Sequence, residues 1–126
     1  MAVTELTQDT FEQTIAQHPF AIIDFWAPWC GPCQSFAPVF EKVSEQHPNI
    51  LFAKVNTEQE QNLAAQFQIR SIPTLMIIRD NIIIYSQPGA LPESALQDLI
   101  TQAENLDMDE VRRQLAEQQQ GQQPSA

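Results

Sequence analysis

The apolar positions of this chain repeat with two periods, and the period switches several times between the termini. Residues 3–6 read as a short strand. Thr7 is placed to cap a helix over residues 8–17 that buries Phe11 and Ile15, and Pro19 helps to end it. Residues 20–26 are apolar almost without interruption, the pattern of a central strand covered on both faces. The helical period returns over residues 34–46, where Phe36, Val39, Phe40 and Val43 fall at i, i+3, i+4 and i+7. Pro38 lies inside that helix and removes a bond to the carbonyl of Gln34, which predicts a kink. A strand follows over residues 50–56. Thr57-Glu58-Gln59-Glu60 has the form of a capping box for a helix through Phe67. Residues 74–79 and 82–87 are apolar strands joined by Asp80-Asn81, a two-residue hairpin signal. Pro92 suits the first position of a last helix, with Leu96, Leu99, Ile100 and Ala103 as its buried stripe. The order β-α-β-α-β-α-β-β-α predicts an α/β fold, with a mixed central sheet of about five strands flanked by about four helices.

Composition adds limits. The chain has 126 residues, enough for one domain with a real core, and 43% of them are apolar. The formal net charge is −10, from 16 acidic and 6 basic side chains. That balance argues against nucleic acid and anionic membranes as partners, because phosphate binding needs clustered Lys and Arg. The first residues show no basic segment followed by an apolar one, so no signal peptide is expected, and no apolar run approaches a membrane span. A cytoplasmic location is the expectation. From residue 106 the composition turns polar. The expected division is a domain over residues 1–105 and an extension over residues 106–126. In that extension Met108, Val111 and Leu115 share one side of a short helix, and a glutamine-rich tail follows. The tail reads either as frayed polar chain or as a docking helix for a partner.

The chemistry is concentrated in Trp29-Cys30-Gly31-Pro32-Cys33, which holds both cysteines of the chain. The apolar strand precedes this run and a helix follows it. Cys30 therefore falls at or just before a first helical turn, where free N–H groups and the helix dipole favour a thiolate, the nucleophilic form. Three readings of the pair are open. A structural disulfide of this span constrains the unfolded chain little. Half a zinc site lacks a second cysteine pair, and His18 and His47 both stand before prolines in loops at helix ends. A redox-active dithiol beside a β-α pattern is the reading that cysteine spacing favours.

The run Asp24-Phe25-Trp26-Ala27-Pro28-Trp29-Cys30-Gly31-Pro32-Cys33, with Ala37-Pro38 and Ile72-Pro73-Thr74 further on, resembles the thioredoxin family over about residues 3–105. The resemblance implies the thioredoxin fold and a thiol-disulfide oxidoreductase that reduces protein disulfides. Cys30 would be the nucleophile and Cys33 the resolving thiol, the two forming a disulfide in the oxidised state. Gly31 and Pro32 would set the spacing found in reducing members. Asp24, a carboxylate inside an apolar strand, should have a raised pKa, and it matches a buried acid thought to help deprotonate the second cysteine. Its plainer reading is an acid at a strand kink, satisfied by hydrogen bonds. Lys54 matches the lysine that pairs with this acid; by itself it reads as a surface lysine with a snorkelling stem. Ile72 and Pro73 would form a cis bond facing the cysteines, whose backbone pairs with a client chain. Trp29, Gly31, Pro32, Ile72, Pro73, Gly89 and Ala90 match an apolar rim around the active sulfur. Trp26 and Pro38 match structural supports, Trp26 packing under the active loop. The implied partners are a thioredoxin reductase and disulfide-containing client proteins. A monomer without cofactor or metal is expected.

Two positions depart from the family pattern. Gln34 replaces the lysine usual after the second cysteine, which removes a cation near the site. Asn81 replaces a hairpin glycine, and asparagine tolerates the positive φ required there. Two other functions compete with a reductant. One is a holdase or docking module, in which the tail recruits partners. The other is a thiol oxidant or isomerase, which the missing export signal disfavours.

Overall fold

The computed structural model describes residues 2–122. Five strands, β1 (Val3–Glu5), β2 (Phe20–Trp26), β3 (Leu51–Asn56), β4 (Thr74–Arg79) and β5 (Ile82–Pro88), form one sheet in the order β1-β3-β2-β4-β5. β1 and β2 flank β3 in parallel, while β4 runs antiparallel to β2 and β5. The parallel pairs come from β-α-β crossovers, and the antiparallel edge comes from the hairpin.

The apolar run of β2, interrupted only by Asp24, is explained by layers on both sides. Ile23 and Phe25 face α1 (Phe11–Ala16) and α3 (Gln61–Gln66), with Phe11, Ile15 and Leu63. Ile22 faces α2 (Gly31–Gln46) and α4 (Glu93–Glu104), with Phe36, Phe40, Leu96 and Ile100. Side chains alternate along a strand, so Asp24 falls on the same face as Ile22, toward α2. Its cross-strand neighbours are Lys54 on β3 and Leu75 on β4.

Three helix starts differ from the sequence reading. α1 begins at Phe11 rather than residue 8, because Thr7 closes a turn: its carbonyl accepts from the N–H groups of Thr10 and Phe11. α3 begins at Gln61, and no capping box forms. Asn56 Oδ1 takes the N–H groups of Glu58 and Gln59, and Thr57 Oγ1 donates to the Trp26 carbonyl at 3.0 Å instead. Pro92 precedes α4 as its N-cap. The hairpin tip has φ of 52° at Asp80 and 65° at Asn81, the left-handed pair that a tight two-residue turn needs.

A fifth helix, α5 (Met108–Gln122), follows α4. It is longer than the short helix expected and runs into the glutamine-rich stretch; the rest of the expected tail, residues 123–126, lies outside the described residues. Asp107 Oδ1 caps it by accepting from the N–H groups of Asp109 and Glu110. Met108 is buried, and Arg112 reaches Asp80 at 2.9 Å. Arg79 donates to the carbonyls of Ala103 at 2.9 Å and Leu106 at 3.3 Å. The extension is therefore fastened to the hairpin end of the sheet. No helix among the described residues is long and apolar enough to cross a membrane.

Candidate active site

β2 ends at Trp26, and α2 begins at Gly31 after a loop of four residues. Within that loop the Cys30 N–H donates to the Ala27 carbonyl at 3.2 Å. Cys30 is the N-cap of α2, with an extended backbone that turns its side chain over the first turn. Its Sγ accepts the Cys33 N–H at 3.2 Å, and its carbonyl accepts the Gln34 N–H at 3.1 Å. Pro32 occupies the opening turn, where a missing N–H costs no helical bond. A Cβ added at Gly31 would meet nothing within 4 Å, so the surface at this position, between the two cysteines in sequence, is open.

Cys30 and Cys33 are joined as a disulfide, with Cα atoms 5.2 Å apart. No cluster of metal-ligating side chains is present among the described residues. Burial does not separate the two cysteines: both residues are buried. Position does. Cys30 Sγ lies 3.8 Å from the Ile72 carbonyl oxygen, at the mouth of the loop before β4. The Ile72–Pro73 bond in that loop is cis. Pro73 is buried, and its carbonyl accepts the Gly89 N–H at 2.8 Å, which ties the β5 end to the same loop. Gly89 has φ 125°, a backbone that favours glycine. Ala90 beside it is exposed. Trp29 is 67% exposed, against the burial usual for a side chain of its size. Trp26 and Ile72 pack on the small cluster of Ala27, Cys30 and Cys33. Pro38 sits on an exposed part of α2, beyond that cluster.

Asp24 is buried, and its Oδ1 has no protein hydrogen-bond partner. Burial pushes its pKa up to about 7; the nearby Lys54 ammonium pulls the other way and is overcome. The satisfied-acid reading of Asp24 does not describe this oxygen. Lys54 adjoins Asp24 in the sheet register but makes no ion pair with it among the described contacts. Its Nζ lies 5.1 Å from the centre of the Trp26 ring, a cation–π contact. The expected pairing is thus a field across neighbouring strands, because the ammonium is drawn to the indole face.

Three contributors were not visible as such in the sequence. Ala27 packs directly against the cysteines. Thr57 holds the Trp26 carbonyl with both its N–H, at 2.8 Å, and its hydroxyl. Gln34 Nε2 donates to the Pro28 carbonyl at 2.6 Å, across the loop that carries Trp29. The last two are side-chain bonds to distant or looped backbone, for which no spacing rule exists.

Comparison with known proteins agrees with this geometry. The family model described as thioredoxin matches residues 2–102. A putative thioredoxin 2 of Streptomyces coelicolor is 55% identical over 118 residues, covering 94% of this chain and 88% of that protein. A match of that length runs past the family model into α5. Thioredoxin 1 of Synechococcus elongatus is 39% identical over 97 residues, 75% of this chain and 91% of its own. Among solved structures, a mutant thioredoxin from Halobacterium salinarum superposes with a TM-score of 0.77 at 31% identity, covering 83% of this chain and 93% of that one. Thioredoxin f from spinach chloroplast gives 0.76 at 30% identity, covering 82% and 95%.

Proposed function

The chain belongs to the thioredoxin family and is a thiol-disulfide oxidoreductase, and from that premise we propose how its residues divide the work. In the dithiol state the Cys30 thiolate attacks one sulfur of a client disulfide. That bond breaks, a Cys30–client bond forms, and the other client sulfur leaves as a thiolate. Cys33 then loses its proton and attacks the Cys30 sulfur. The mixed disulfide breaks, the second client thiolate leaves, and Cys30–Cys33 closes. The client gains two electrons and two protons. A thioredoxin reductase returns both to the pair.

The observation that carries this reading is the setting of Cys30 Sγ: it takes the Cys33 N–H at 3.2 Å at the N-terminus of α2. The same bond and the helix dipole favour negative charge on that sulfur. Asp24 is the base for Cys33. It lies on the α2 side of β2, and a pKa of about 7 leaves it able to hold or release a proton near neutrality. Lys54 modulates that acid through its field. The client chain runs along Ile72 and cis Pro73, whose loop offers backbone groups in the manner of an added strand. Trp29, Gly31, Pro32, Gly89 and Ala90 complete the rim, with Trp26 packed on the cysteine cluster as its support; Pro38 lies away from it on α2. Clients are proteins bearing disulfides, and a net charge of −10 makes nucleic acid an unsuitable partner. A cytoplasmic setting, where thiols are kept reduced, suits a reductant.

Insulin reduction with NADPH and a thioredoxin reductase tests the reading. Cys30→Ser is expected to abolish turnover, and Cys33→Ser to accumulate covalent client adducts on a non-reducing gel. Turnover that survives Cys30→Ser would contradict it, and chaperone activity alone would favour a holdase.

A further inference from the structure

The loop that presents Trp29 has few tethers of its own. Its one internal backbone bond is Cys30 N–H to the Ala27 carbonyl. Pro28 has no N–H to donate, and both Pro28 and Trp29 are exposed. The ends of the loop are held by Thr57 at the Trp26 carbonyl and by the disulfide at Cys30; its middle is held by Gln34, one residue beyond Cys33. Its main-chain N–H donates to the Cys30 carbonyl at 3.1 Å, and its side-chain Nε2 donates to the Pro28 carbonyl at 2.6 Å. The two bonds grip the chain on either side of Trp29.

We propose that Gln34 is a positioning residue for protein clients: its side chain locks the Pro28 carbonyl so that Trp29 is already placed when a client chain arrives. The inference deepens the client-rim reading above and rests on it. Its physical basis is pre-organisation. A large exposed ring on a loose loop must be ordered during binding, and that ordering weakens the complex. A loop ordered beforehand by Gln34 avoids this. The effect falls on client binding and not on sulfur chemistry, because Gln34 is neutral and its side chain bonds to neither sulfur. Protein disulfides, which lay a chain across the rim, are the substrate class that benefits.

Gln34→Met keeps the length of the side chain and removes the donor. With insulin as client, it is expected to raise KM about two- to fivefold, the size of one exposed neutral hydrogen bond, while kcat stays within about twofold. The same substitution in a Trp29→Ala background is expected to change KM by less than a factor of about 1.5, near the resolution of a double-mutant cycle. An unchanged KM in Gln34→Met would overturn the inference. So would a loss confined to kcat, or a KM rise equally large without Trp29. The wild type run in parallel separates the two claims: no insulin reduction by it would refute the reductant reading itself.

Discussion

The two ends of β4 put their charged groups to different uses. At the hairpin end Arg79 and Arg112 both engage acceptors, although Arg79 Nε itself is buried without a protein partner. Arg79 donates to the Ala103 and Leu106 carbonyls and lies 5.2 Å from the Phe20 ring centre, and Arg112 bridges Asp80 on the tip to Asp109 on α5. At the cysteine end Asp24 Oδ1 and Trp26 Nε1 are buried without a protein partner, and Lys54 leans on an indole rather than on the acid. One end uses its polar groups to fasten a helix. The other leaves a carboxylate destabilised in its charged form, which is the condition for moving a proton near pH 7.

The contrast has measurable consequences at both ends. The largest concerns Asp24. Its pKa is raised in the folded state to about 7 from 3.8, so the neutral acid is tolerated at low pH. As pH rises through that window the unfolded chain ionises freely while the folded protein must charge a buried group, and stability is lost until about pH 7. Asp24→Asn removes this titration. Between about pH 4 and pH 8, urea melts should show the variant gaining about 4 kcal/mol on the wild type, at about 1.36 kcal/mol per pH unit. A pH-independent difference would remove Asp24 from the list of strained groups. Next comes Arg79→Met, which strips partners from the carbonyls at the end of α4. It should cost about 2 kcal/mol by the same melts, with insulin reduction per folded molecule within about twofold of wild type. A comparable loss of turnover would mean that the two ends are coupled. The smallest effect is at Arg112, whose contacts are exposed. Arg112→Ala should move Tm by less than about 3 °C, as surface ion pairs usually do. A larger shift would show α5 to be integral to the fold.

Much of this was legible in the sequence. The nearly continuous apolar run of residues 20–26 required cover on both faces, and Ile22 and Ile23 do face opposite layers. Asp24 stood out because nothing polar surrounds it in sequence, and the same isolation raises its pKa. The cysteine pair at a strand-to-helix boundary needed only spacing and periodicity to be found. Local capping rules failed where a side chain had a tertiary alternative. Thr57 looks like a cap but bonds the Trp26 carbonyl on another strand, and Thr7 closes a turn before α1. Lys54 was legible as a neighbour of Asp24 but not as a cation over Trp26, since rotamer choice is invisible to pattern. Gln34 stands out in the sequence for the charge it lacks, whereas the structure shows the bond it makes to the Pro28 carbonyl. The length of α5 escaped because a glutamine-rich run has no apolar period to signal a helix.

In the mechanism proposed above, disulfide exchange turns on the sulfur at the N-cap of α2. Alkylation of the reduced protein by iodoacetamide, followed by mass spectrometry from about pH 5 to 10, reads the thiolate fraction of Cys30 directly. The rate at Cys30 should titrate at least about one pH unit below the value of about 8.5 found for a free cysteine. A Cys30 titration at or above about 8.5 would mean that the helix terminus does not activate the sulfur, and the exchange mechanism built on it would fail.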